Sequence, residues 1–261
     1  CENHWQIENF YASATNEEIE KFEKYVKSGE IGLSGNYLNM TELVDEGILY
    51  SRTMKAKKYS EKIAMPIRSG MSADINGYAW GYPDILCECG VENLFGALHP
   101  HHGMFPLYKK QQPFYWKGPK GGKVLVWGGE HYHMGNEMFL CPGNLIRTNS
   151  LEDTEELELQ TACTRIERYV ENLEKEGYQY DFFPLMVSGA ITDNAPPNGD
   201  IAKRVNTLNQ IFAGKVTIKM ANLDEFFQKV KSSDEEIPTY EGDFTDWWAD
   251  GVGSTPNAVK I

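Results

Sequence analysis

Asp74 and Asp193 each end a run of small or apolar residues and open a polar one, in SADINGY (72–78) and GAITDNAPP (189–197), with an Asn within two residues of each. A pair of carboxylates on the ends of different strands is what glycosidic cleavage requires. One attacks or positions the nucleophile, and the other protonates the departing oxygen. Each aspartate also has a plainer reading. Asp74 suits an Asx turn, and Asp193 suits a turn or a helix cap ahead of the Pro and Asn residues of APPNGD. Histidine supplies a second kind of chemistry. Five of the six fall in two short stretches, His99-x-His101-His102 and His131-x-His133. Alternate residues of an extended segment point the same way, so these pairs suit a metal ion, and equally they suit hydrogen bonds to hydroxyl groups. Trp80 and Trp247 offer flat amphipathic faces of the kind that stack on sugars, although aromatic side chains also fill cores.

These residues need elements to position them, and the sequence alternates helices with short strands. Residues 15–30 carry Ile19, Phe22, Tyr25 and Val26 on one helical face, and IGLSG (31–35) reads as a strand. A long helix is expected from Thr41 to Lys58. IRSGMSAD (67–74) is a strand, PDILCECG (83–90) a helix ended by Gly90, and ENLFGAL (92–98) and KVLVWGG (123–129) are apolar strands. Residues 151–176 form the clearest helix. After it come a buried strand in YDFFPLMVSG (180–189), a helix over 201–212, a strand in KVTIKM (215–220), a helix in NLDEFFQKV (222–230) capped by Asn222, and a strand in IPTYEG. Alternation of this kind implies parallel strands, hence an α/β sheet or barrel whose strand C-termini converge on one face. Polar residues follow nearly every strand: Asn36 and Asn39, Asp74 and Asn76, the first His cluster, Glu130 with the second, Asp193 and Asn194, and Asp243 to Trp248.

Bulk properties narrow the partners. A formal charge of −13 disfavours nucleic acid and anionic membranes, and no apolar run approaches the ~20 residues of a membrane span. No strand-linked G-x-G-x-x-G and no G-x-x-x-x-G-K-[ST] is present, and KGPKGGK (117–123) lies between two strands as a hairpin turn. The five Cys have no paired spacing and read as mostly buried free thiols. Without repeats or a low-complexity linker, residues 1–261 read as one domain. The first residues carry neither an initiator Met nor a signal peptide, so the chain is expected to begin inside that domain, in a soluble protein whose compartment the sequence leaves open, the cytoplasm being slightly favoured.

Several blocks, in order, resemble the N-terminal catalytic domain of glycoside hydrolase family 38, the α-mannosidases, in a divergent bacterial branch. They are YVKSGEIGLSGNYLNMTELVDE (25–46), ADINGYAWGYPDILCECGVENLF (73–95), QPFYWKGPKGGKVLVW (112–127), the segment from PLMVSGAITDNAPP to DEFFQKV (184–230), and YEGDFTDWWADGVGST (240–255). The second is similar to the family's Asp-Pro-Phe-Gly-His-Ser block. The resemblance implies a (β/α)7 barrel, here without its first strand, and retaining cleavage of α-linked sugars assisted by zinc. It implies that Asp74 is the nucleophile and a zinc ligand, that Asp193 is the acid/base, and that the other zinc ligands and further C-terminal domains lie outside this chain. His101, His102, His131, His133, Trp80 and Trp247 are then expected to line a carbohydrate pocket. Where the family has Gly-Asp-Asp-Phe-Arg, this chain has GAITDNAPP. That departure keeps open a non-catalytic carbohydrate-binding relative, and the hydrolytic metal sites of related (β/α)7 barrels keep open a zinc-dependent deacylase.

Overall fold

Apolar runs of five to seven residues make the main strands, and several helices start where a side chain takes the first free N–H groups. In the computed structural model the described residues are 3–39, 44–73, 77–97, 110–143, 155–189 and 196–245. In chain order the elements are α1 (His4–Ser13), α2 (Asn16–Lys27), α3 (Glu46–Ile63), β1 (Ser69–Ala73), β2 (Gly77–Tyr78), α4 (Tyr82–Glu88), β3 (Asn93–Ala97), β4 (Gln112–Lys117) and β5 (Lys123–Gly129). They continue with α5 (Met134–Glu137), α6 (Glu155–Lys175), α7 (Ile201–Phe212), α8 (Leu223–Lys231), β6 (Thr239–Glu241) and β7 (Phe244–Thr245). The chain divides into two compact units, one of residues 1–130 and 222–261, the other of residues 131–221.

The first unit is built on a five-stranded sheet in the order β1-β3-β5-β4-β6, with β2 and β7 as a separate antiparallel pair. β1, β3 and β5 run parallel, and β4 runs against β5. The sheet is therefore mixed, and among the described residues it does not close into a barrel. One core cluster gathers Leu94, Phe114, Trp116, Val124, Val126 and Phe244 with Ile85 and Leu86 of α4. Phe95 and Trp127 instead meet Phe226 of α8 edge to face, at centroid distances of 5.9 and 5.1 Å. Gly129 is required there, because a Cβ would come within 2.6 Å of the Phe95 ring.

Capping explains the helix ends. Thr15 with Glu18 and Asn222 with Glu225 form reciprocal capping boxes at the starts of α2 and α8. The long helix expected from Thr41 begins instead at Glu46, because the Asp45 carboxylate accepts the Gly47 and Ile48 N–H groups at 2.9 and 3.3 Å.

IGLSG is not a strand. The Ser34 hydroxyl accepts the Met71 N–H at 3.1 Å, so a side chain stands where a ladder carbonyl would. Gly35 bonds β1 through its backbone, donating to the Ser69 carbonyl at 2.9 Å.

In the second unit, α6 and α7 pack around Ala162, Ile166, Leu208 and Phe212, with Met138, Phe139 and Leu140 completing the cluster. Arg204 and Glu158 form a buried ion pair within it, and Glu158 also accepts the Gly143 N–H at 2.9 Å. Neither YDFFPLMVSG nor KVTIKM is a strand. In the latter, the Asn209 side-chain amide accepts the Ile218 N–H at 2.7 Å and donates to its carbonyl at 2.9 Å, replacing a partner strand.

The turn between β4 and β5 is held by one buried carboxylate. Asp84, in the first turn of α4, accepts the N–H groups of Lys120 at 3.0 Å and Gly122 at 2.6 Å. A Cβ at Gly118 or Gly122 would approach Asp84 atoms to 2.5 or 2.6 Å, so the two glycines make room for it. Asp84→Ala leaves both amides without their acceptor and is expected to cost about 3 kcal/mol of stability. Urea titration followed by fluorescence should show a lower midpoint at unchanged slope.

Candidate functional site

The parallel ladder sets three strand ends in one row: Ala73 pairs with Ala97, and Ala97 with Gly129. The next residues in sequence are Asp74, Leu98 and Glu130. At roughly 4.8 Å between strands, the ends of β1 and β5 lie about 10 Å apart. One contact ties a further segment to this end. The Ser72 hydroxyl donates to the Asn39 side-chain oxygen at 3.0 Å, which brings the polar residue after IGLSG beside the end of β1. The separate β2–β7 pair sets Gly77 opposite Thr245 and Tyr78 opposite Phe244.

Glu130 is the buried charge of this row. It directly follows β5, is 3% exposed, and accepts the Lys110 ammonium at 2.7 Å. Gln111, fully buried, donates its backbone N–H to the Gly128 carbonyl at 2.6 Å and accepts the Trp127 indole N–H at 2.9 Å through its side chain. Its φ of +53° is unusual for a residue with a Cβ and is kept by that double hold. Glu130 stands out in the sequence only as the polar residue after KVLVWGG. Lys110 carries no sequence signal at all, because its partner is fixed by the register of the β4–β5 hairpin.

Asp74, Asp193, His101, His102 and Trp247 lie outside the described residues. Trp80 does not join the row. Its indole N–H donates to the Lys117 carbonyl at 2.9 Å and its backbone N–H to Asp243 at 2.9 Å. Lys117 pairs with Lys123, the first residue of β5, so Trp80 stands roughly 20 Å along the strand from Gly129.

His131 and His133 belong to the second unit, in a turn ahead of α5 and not on an extended segment. The His131 Nδ1 accepts the His133 backbone N–H at 3.2 Å, and its ring lies 4.1 Å from that of Tyr132. The His133 Nδ1 is 2.8 Å from the Ser188 hydroxyl. The spacing that suits a shared metal ion therefore does not aim the two rings together. Among the described residues no three His, Cys, Asp or Glu side chains gather as metal ligands do.

Asn136, fully buried, fixes the segment that leads to Asp193. It accepts the Ser188 N–H at 2.9 Å and donates to the Gly189 carbonyl at 3.0 Å. The Cys141 thiol donates to the same carbonyl at 3.3 Å, and burial pushes its pKa up, so it serves as a neutral donor. Asn136→Ala removes both amide bonds and is expected to cost about 2–3 kcal/mol, and Asn136→Asp, which sets a buried carboxylate oxygen against the Gly189 carbonyl, costs at least as much. Urea unfolding of the three proteins checks this order.

The model of the glycosyl hydrolases family 38 N-terminal domain matches residues 1–243. Among solved structures, an α-mannosidase from Enterococcus faecalis V583 superposes with a TM-score of 0.67 at 18% identity, covering 93% of this chain and 25% of that one. A family 38 glycosyl hydrolase from Enterococcus faecalis gives a TM-score of 0.61 at 16% identity, covering 92% of this chain and 23% of the other. At these identities the likeness is one of fold, and the chain spans about a quarter of the length of both. Among curated proteins none matches the sequence.

Proposed function

Since this chain belongs to glycosyl hydrolase family 38, we propose that it is part of a retaining glycosidase of the α-mannosidase type, on a (β/α)7 barrel completed beyond the described residues. The observation that carries the reading is the common register of Ala73, Ala97 and Gly129, which brings three strand ends to one edge of the sheet, with Asp74 the next residue after the first. In this reading Asp74 is the nucleophile. It attacks the anomeric carbon while Asp193 protonates the departing oxygen, and Asp193 then takes a proton from the water that releases the sugar. His101, His102, His131, His133 and Trp247 are proposed to contact sugar. Zinc, with Asp74 as one ligand, belongs to the proposal through the family; the described residues do not assemble a site for it.

A second reading rests on GAITDNAPP, which lacks the family's paired acidic residues: a barrel that binds carbohydrate without cleaving it. The full-length protein, supplied with zinc and an aryl α-mannoside, separates the two. Turnover is expected, Asp74→Asn should lower kcat by about a thousandfold or more, and the variant should still bind sugar. Sugar binding by the wild type without turnover would establish the second reading, and unchanged kcat in Asp74→Asn would remove Asp74 from the chemistry.

A further inference from the structure

Lys110 and Glu130 form the one ion pair of the described residues that sits at the row of strand ends, and its asymmetry is informative. The Glu130 carboxylate side chain is 2% exposed, while the Lys110 side chain remains 39% exposed. A buried carboxylate–ammonium pair contributes little net stability, because desolvation offsets most of the Coulomb attraction. The backbone beneath the pair is also overdetermined. Gln111 is kept at φ +53° by its hydrogen bonds to Gly128 and Trp127, and this fixes the residue that carries the ammonium. A partly solvent-exposed cation is thus set at a defined place beside the end of β5, with its counter-charge buried.

We infer that Lys110 is a substrate-contacting residue of the site proposed above, donating hydrogen bonds to neutral hydroxyl oxygens of the sugar, and that Glu130 is its positioning residue. This rests on the glycosidase reading. The preference for neutral oxygens follows from charge. An anionic group near Lys110 would also face the Glu130 carboxylate at close range, whereas a hydroxyl gains a charge-assisted bond without that repulsion. Removing the carboxylate should therefore turn a hydroxyl site into one that admits anions.

The test uses the full-length protein with zinc, aryl α-mannoside turnover, and calorimetric titration with methyl α-mannoside, circular dichroism confirming that each variant is folded. Lys110→Met should raise KM and the methyl α-mannoside Kd together by about tenfold, with kcat within about threefold, and Lys110→Arg should stay near wild type. In Glu130→Gln, inhibition by sulfate should strengthen by about tenfold, a change that a merely structural role would not produce. Lys120→Met, at the opposite end of the sheet, should alter neither. Unchanged KM and Kd in Lys110→Met, or unchanged sulfate inhibition in Glu130→Gln, overturns the inference. Sugar binding that depends on Lys110 without any turnover supports it and overturns the glycosidase reading alone. A wild-type protein that binds no methyl α-mannoside overturns both.

Discussion

Parallel strands in a single register, Ala73 beside Ala97 beside Gly129, oblige the chain to return to the same starting edge before each new strand. Every connection that leaves the far edge therefore begins at the same level. The apolar pairing that maintains this register, Phe95 lying against Gly129 and Trp127 against Phe226, is what keeps those departures level to within a residue. A slip of one residue would reverse the faces of Phe95 and Trp127 and bury Asn93 on the wrong side. Placement of polar residues at the strand ends is thus a consequence of how aromatic rings pack at the middle of the sheet.

The two ends of the sheet use buried carboxylates differently. At the starting edge, Asp84 faces two backbone amides, which are fixed dipoles with no freedom to do anything else. At the far edge, Glu130 faces a flexible ammonium that stays partly in solvent. The first arrangement secures a turn, and the second presents a charge. Trp80 is found with the first group, bonded to the Lys117 carbonyl and to Asp243.

Helices α2 to α4 and α6 to α8 and the central strands were legible because their signals are local: capping boxes at Thr15 and Asn222, a Gly at the end of α4, and apolar runs in β3 and β5; α1 and α5, which no side chain caps, were not. Segments misread as strands share a cause. At Ser34 and Asn209 a side chain occupies the position that a neighbouring backbone takes in a ladder, and a residue type does not announce that substitution. The same limit applies to the site. That Glu130 ends a strand can be read from KVLVWGGE, but that Lys110 meets it depends on the hairpin register, and which end of the sheet Trp80 reaches depends on the direction of β2. No composition change marks the junctions at Glu130 and Asn222, so the two compact units read as one stretch of ordinary globular sequence.

The order of segments along the chain has a consequence for how the protein is made. The first unit is interrupted: β5 ends at Gly129, yet α8, whose Phe226 covers Phe95 and Trp127, follows only after the whole second unit. On a ribosome adding about 5–20 residues per second, that face waits roughly 5–20 seconds for its cover. During that interval the nascent chain displays two large aromatic rings on a nearly finished sheet. Vulnerability to aggregation in synthesis is therefore concentrated on one face, and it ends when a nine-residue helix docks.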